Sequence, residues 1–258
     1  MSDAGRDERN PGARQHLASL RANGIDWVPK KPPMTRRPKP APEAAGSLFE
    51  VKAAPLPAGS GDERRAQLTL LANEIKPCTL CAELCSTRTQ TVFGVGRIDP
   101  DICFIGEAPG ADEDRQGEPF VGAAGQLLNK IIAACGLTRE EVYICNTLKC
   151  RPPGNRTPRP DEAANCRGFL DRQLDLVRPK SICCLGATAA INLLGVAGPL
   201  GKLREKFHDY RGIPVMCTYH PAYLLPHRAP EKKKEVWDDM KMLLAKLGRP
   251  IPKTGGAQ

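Results

Sequence analysis

Residues 102–110, ICFIGEAPG, are four apolar residues in a row followed by a turn carrying Gly106, Glu107, Pro109 and Gly110. A short apolar run closed by Gly and Pro reads as a buried strand delivering a loop. Working outward, Leu127, Leu128, Ile131, Ile132 and Cys135 share one face of a helix that Gly136 stops. Val142 to Cys145 is a second strand, and Cys166, Leu170, Gln173, Leu174 and Val177 trace the next helix. Ser181 to Leu185 is a third strand before a short Ala-rich helix, and Val215 to Tyr219 a fourth. Val236, Met240, Leu243, Leu244 and Leu247 mark a last helix. This alternation predicts an α/β fold, a three-layer α/β/α sandwich around a mainly parallel four-stranded sheet. Ligands of such sheets bind beyond the carboxyl ends of the strands. GEAPG, Asn146 and His220 all stand at such ends.

The flanks differ in character. Leu68, Leu71, Ala72 and Ile75 recur at helical spacing and deliver Cys78 just past Pro77. Residues 1–60 include the Pro-rich, basic run PKKPPMTRRPKPAP, which sustains neither helix nor strand. They are expected to be a disordered extension, with a short helix over 16–24. A catalytic domain is expected over 61–248 and a flexible tail over 249–258. The 38 Lys and Arg against 29 Asp and Glu give a net charge of +9, which favours a polyanionic partner. Eleven cysteines, an odd number, and an N-terminus without an apolar signal region argue against a secreted disulfide framework. No apolar run is long enough for a membrane span. A reducing cytoplasmic, nucleoid-associated setting is expected.

Six cysteines, Cys103, Cys135, Cys145, Cys183, Cys184 and Cys217, fall inside apolar patterns and read as core. Cys78 and Cys81 form a C-x2-C pair with Cys85 close behind, and Cys150 and Cys166 lie in polar surroundings. The pair supplies two thiolates on one turn, and Cys150 with Cys166 supplies two more from a loop and a helix. An iron–sulfur cluster, zinc and unligated thiols all remain open on spacing alone. Cys85 is the spare.

The string IGEAPGADEDRQGEPFVGAAGQLL, followed by NTLKCRPPGNRTP and YHPAYLL, is similar to the uracil-DNA glycosylase superfamily and most resembles its iron–sulfur-containing family 4. The likeness runs from about Cys78 to Leu247. It implies the same sandwich fold, a [4Fe–4S] cluster on Cys78, Cys81, Cys150 and Cys166, and hydrolytic removal of uracil from DNA during base excision repair. Breaking that bond requires the nucleotide to be flipped out, gripped by its edge and relieved of the growing negative charge on its base. Phe120 resembles the ring that stacks on the flipped base. Asn146 resembles the amide that reads the uracil edge, which cytosine mismatches. His220 resembles the donor to the uracil O2. Gly106, Ala108 and Gly110 border the base.

The water is less well assigned. Glu107 opens the motif, yet Ala108 stands where the best-known uracil glycosylases have an aspartate. Glu113 resembles the acid that family 4 enzymes point toward uracil, to hold water or to exclude a thymine methyl. For DNA, Leu224 and Leu225 are candidates for the wedge that fills the vacated stack and equally for core, and Arg156, flanked by Arg151 and Arg159, is a candidate for phosphate contact. The stretch from Cys150 to Asp161 has no histidine, so no covalent adduct with the abasic site is expected. Uracil-containing DNA is the expected partner, a monomer the expected state, and the extension a tether to DNA or to a replication or repair protein. Two rival readings stand beside this one: a cluster-stabilised DNA-binding or polymerase-associated module without activity, and a glycosylase shifted toward hypoxanthine or mismatched thymine.

Overall fold

The structure is a computed structural model that describes residues 59–252. The Pro-rich basic stretch, the expected helix over 16–24 and the end of the tail lie outside the described residues. The first element, α1 (Gly61–Ile75), starts on a capping box in which Ser60 and Glu63 each bond the other's main-chain N–H. It buries Leu68, Leu71 and Ile75 and ends before Pro77. The one-turn helix α2 (Ala82–Thr87) follows, with Cys81 at its N-cap.

Six strands form one sheet: β1 (Val95–Gly96), β2 (Ile102–Gly106), β3 (Tyr143–Asn146), β4 (Ser181–Leu185), β5 (Phe207–Tyr210) and β6 (Ile213–Thr218). Their order is β1-β3-β2-β4-β6-β5. The four middle strands are parallel and are the four expected. The expected four-stranded count is corrected by two antiparallel edges, β1 on β3 and β5 on β6. Both escape pattern reading for a physical reason. Edge strands are only half covered, so Val95–Gly96 is two residues long and FHDY is mostly polar, with no apolar run to mark either.

Between the strands lie α3 (Ala111–Gln116), α4 (Ala123–Ala134), α5 (Pro160–Val177), α6 (Ala187–Leu194), α7 (Leu200–Leu203) and, last, α8 (Lys233–Lys246). Side chains alternate across the sheet. Cys103, Ile105, Ile182, Cys184, Val215 and Cys217 face the layer of α1, α5 and α6 with Leu71, Leu170 and Leu193. Ile102, Phe104, Cys183, Leu185 and Met216 face α4 and α8 with Leu128, Ile132 and Met240. Each fully buried Leu, Ile or Phe is worth about 1.5–3 kcal/mol, so the sandwich stands on its two apolar layers. The cysteine-bearing segment has much less. Its buried cluster is Leu84, Leu148, Cys150 and Cys166 alone.

From β2 the chain crosses first to β3 on one side and then to β4 on the other. That reversal opens a crevice at the carboxyl ends of these strands, the place where such sheets hold ligands.

Candidate active site

A cavity of about 380 Å³ occupies that crevice, walled by Glu107, Ala108, Gly110, Glu113, Phe120, Asn146 and His220, with Pro152, Asn155, Arg156 and Arg228 also on its lining. Gly106 and Asn146 are register partners at the ends of β2 and β3. A Cβ on Gly106 would stand 2.3 Å from Asn146 Oδ1 and 2.6 Å from Phe120 Cζ, so only glycine lets both side chains approach the strand. Asn146 is 2% exposed and its Oδ1 has no hydrogen-bond partner. A buried unpaired carbonyl oxygen costs about 1–3 kcal/mol, which is sustained where a ligand N–H completes it.

Phe120 is held in the left-handed region at φ 55°. Two neighbours fix it there. Arg139, ion-paired to Glu118 at 3.0 Å, donates to the Phe120 carbonyl at 3.3 Å, and Gly125 packs so closely that a Cβ would lie 1.9 Å from that oxygen. The Phe120 ring lies 5.6 Å from the His220 ring, tilted by 32°.

His220 follows β6 and opens the turn Pro221–Leu224. Its Nδ1 accepts a bond from the Ala222 main-chain N–H at 3.1 Å. Nδ1 is therefore an acceptor, and the proton of the neutral ring resides on Nε2. Burial lowers the pKa from the ordinary 6.5 to about 4, with the Glu113 carboxylate opposing and Arg228 reinforcing. A neutral imidazole that offers one N–H is the state at physiological pH.

The two acids differ. Glu113 Oε1 accepts from the Val121 and Gly122 N–H groups at 2.9 and 3.0 Å, and Oε2 from Gly110 N–H at 3.0 Å. It stitches the GEAPG loop to the Phe120 loop. Glu107 is half-buried, its pKa raised by burial against a bond from Thr188. Its carbonyl accepts from Leu148 N–H at 3.1 Å and the Thr147 hydroxyl at 2.6 Å.

Ala108 faces the cavity on one side and the cysteines on the other. Cys81 packs with Cys150 and Cys166, and the Cys78 thiol is close enough to raise the pKa of both Cys150 and Cys166. Burial is the larger cause, pushing Cys150 up to about 11. Buried thiols with raised pKa gain from a cation that takes them as thiolates. The donors around them suit sulfur anions. Arg88 Nη1 reaches Cys150 Sγ at 2.9 Å, its Nη2 bonds the Cys78 carbonyl at 2.7 Å, and Asn165 Nδ2 lies 3.5 Å from Cys81 Sγ. Among the described residues no three His, Cys, Asp or Glu side chains converge as a single ion requires. Four thiolates are a donor set that either a zinc ion or an iron–sulfur cluster accepts.

The DNA-contact expectations fare unevenly. Arg156 lines the cavity, but its guanidinium is held by Glu162 at 2.6 Å and Glu83 at 3.0 Å, and Arg159 joins the same carboxylates. Leu224 is 1% exposed and packs with α4 and α8, whereas Leu225 is half-exposed. A wedge at Leu224 is thus corrected to a core residue. Arg228, exposed and on the cavity lining, carries only a weak sequence signal, a basic residue just past the His-Pro turn. The Glu113 clamp was legible in principle, as an acid three residues after Gly110 in capping-box spacing.

Comparisons with known proteins give the family of the chain. The family model "Uracil DNA glycosylase superfamily" matches residues 93–241. A type-4 uracil-DNA glycosylase of Thermotoga maritima is 42% identical over 69% of this chain and 93% of its own length. One from Archaeoglobus fulgidus is 42% identical over 70% and 94%, and one from Saccharolobus solfataricus 40% identical over 71% and 88%.

Proposed function

The chain belongs to the uracil DNA glycosylase superfamily, and from that premise we propose that it hydrolyses the N-glycosidic bond of uracil in DNA, leaving an abasic site. The observation that carries this beyond family membership is the buried, unpartnered Asn146 Oδ1 beside an imidazole whose proton is directed to Nε2.

An extruded uracil enters the crevice against the Phe120 ring, with Gly106, Ala108 and Gly110 at its border. Asn146 Oδ1 accepts the ring N–H and its amide nitrogen donates to the adjacent carbonyl. Cytosine offers an acceptor and a donor in those places and leaves the amide doubly mispaired. As the bond to the sugar lengthens, negative charge grows on the base, and the His220 Nε2–H donates to O2. A neutral donor suffices, because the anion forms in a site from which water is largely displaced. Glu107 is the acid with an oxygen left to hold the attacking water, while Glu113 acts chiefly as the clamp of the two loops and places its charge near His220. Arg228, rather than the already paired Arg156, supports a phosphate beside the cavity, and Leu225 is the side chain available to fill the stack.

Cys78, Cys81, Cys150 and Cys166 hold a [4Fe–4S] cluster, which ties the α1–α2 segment to the Cys150 loop and takes no part in bond cleavage. Among the described residues no helix is long and apolar enough to cross a membrane.

The test is incubation of the full-length protein with oligonucleotides carrying a single uracil, cytosine, hypoxanthine or mismatched thymine, followed by alkaline cleavage. Breakage at uracil alone is expected. Breakage at hypoxanthine or thymine with comparable rate would reassign the specificity, and DNA binding without breakage would leave a binding module.

A further inference from the structure

Lys149 is fully buried, at 0% exposure. A buried ammonium is costly unless an opposite charge compensates it. Two other buried cations have that compensation, Arg64 from Asp99 and Arg204 from Asp239 and Glu235. Lys149 instead holds two neutral oxygens. Its Nζ donates to Gln173 Oε1 at 2.6 Å and to the Asn146 carbonyl at 2.9 Å. A methionine would fill the same space without burying a charge. What the charge adds is strength in the two bonds, roughly twice that of neutral ones.

Those bonds fall where the sheet stops supporting β3. The edge strand β1 pairs with β3 only at Tyr143 and Ile144, so it offers the Asn146 carbonyl no ladder partner. Lys149 turns back three residues to supply the donor. Gln173, on α5 and also 0% exposed, anchors that ammonium to the rest of the strand. Its Nε2 donates to the Tyr143 hydroxyl at 2.8 Å and to the Phe93 carbonyl at 3.0 Å. Gly94 makes room for this amide, since a Cβ there would lie 2.8 Å from Gln173 Nε2. Past Asn146, Thr147 N–H bonds the Gly106 carbonyl at 2.9 Å and Leu148 N–H the Glu107 carbonyl at 3.1 Å. The Asn146 main chain is therefore held by a buried, charge-assisted brace, while its Oδ1 is left without a partner in the cavity wall.

We propose, on the reading of Asn146 as the amide that grips the uracil edge, that Lys149 and Gln173 are positioning residues for base recognition. Neither lines the cavity. Together they fix the carboxyl end of β3 and with it the Asn146 amide. An amide that must offer one acceptor and one donor to a flat ring tolerates little displacement, and a shift of about 1 Å in such a group costs up to about 10²-fold in rate.

The experiment is a pair of double-mutant cycles on the full-length, metal-loaded protein. Single-turnover excision from a uracil-containing oligonucleotide is measured, with Tm and metal content determined for every variant. Lys149→Met is expected to slow excision by up to about 10²-fold. In an Asn146→Ala background no amide remains to be placed, and the same substitution should cost about twofold at most. In a His220→Ala background it should keep its full factor, because the imidazole is oriented by its own turn. Gln173→Met removes the acceptor and leaves the lysine; it should repeat the pattern with a smaller factor, and it decides the matter should Lys149→Met fail to fold. An undiminished factor in the Asn146→Ala background would overturn the proposal, as would single substitutions that leave excision unchanged. Equal shrinkage in both backgrounds would show a general loosening of the site and overturn it too. So would a loss of metal that matches the loss of excision, because Cys150 follows Lys149 in the chain. Wild-type protein that leaves uracil in place would overturn the reading of Asn146 itself, an outcome distinct from an active enzyme whose Asn146 cycle is additive.

Discussion

The two ends of the five-residue run Asn146–Cys150 follow opposite rules. At Asn146 the fold leaves a buried amide oxygen without a partner and buttresses it with Gly106 and Phe120. At Cys150 the thiol is supplied with a guanidinium donor, and the neighbouring carbonyls of Lys76, Cys78 and Leu80 are bonded by Arg88 and Asn165. An unpaired group is stored free energy awaiting a ligand that comes and goes, whereas a saturated shell suits a resident that stays. One site should therefore govern turnover and the other persistence.

The largest expected effect breaks the pair cleanly. His220→Ala removes the one donor aimed at the growing charge and should lower single-turnover uracil excision by about 10²–10³-fold, the usual loss for one such donor. The chromophore and Tm should be unchanged. Asn146→Ala should act similarly on uracil while leaving Tm equal or slightly raised, since it deletes a buried group that the fold never satisfied. A parallel fall in Tm and excision for either variant would show that the cavity wall is structural and end the division of labour.

Gly106→Ala sharpens the comparison at a lower magnitude. The new methyl overlaps both Asn146 Oδ1 and Phe120 Cζ, and overpacking of this kind costs about 1–3 kcal/mol. Because the two atoms that must yield belong to the base site, the rise in KM should exceed what the fall in Tm accounts for. Cys85→Ser is the control on the other end. Cys85 lies outside the buried group of Cys150 and Cys166, so metal content and excision should match wild type within error. Loss of iron from that variant would redraw the ligand set.

Much of this was legible in the sequence because it is written in buried runs. The four parallel strands and the helices packed on them carry apolar periodicity, and the glycine turn, Asn146 and His220 fall at strand ends where a parallel sheet must place its ligand. The rest depends on contacts that no local pattern encodes. FHDY pairs with β6 without an apolar signature. Leu224 and Leu225 are indistinguishable as letters, yet the turn after His220 sends one inward and leaves the other at the surface. Arg156 reads as a phosphate ligand until Glu83, 73 residues earlier, is seen to hold it. A lysine between Leu148 and Cys150 looks like a surface charge, and its burial is a tertiary fact.

The smallest expected effect concerns pH, and its sign separates the two ends once more. His220 titrates near 4 in the fold and at its ordinary 6.5 when unfolded, because burial penalises the charged ring. Above 6.5 both states are neutral and His220 has no influence on stability. As the pH falls from 6.5 toward 4 the unfolded chain takes up a proton that the folded chain refuses, so stability declines across that window and levels off below it. Excision, which needs the neutral ring with its proton on Nε2, should hold its His220-dependent rate through pH 5 and fall only as 4 is approached. Comparing urea midpoints of wild type and His220→Gln from pH 7 to 4 isolates the contribution, since the glutamine does not titrate. The wild-type curve should fall more steeply than that of the variant as the pH drops from 6.5 toward 4. Parallel curves would mean that burial leaves the ring at its ordinary 6.5, and the neutral Nε2–H that the Ala222 bond prepares would then be lost as the pH falls through 6.5 and not near 4.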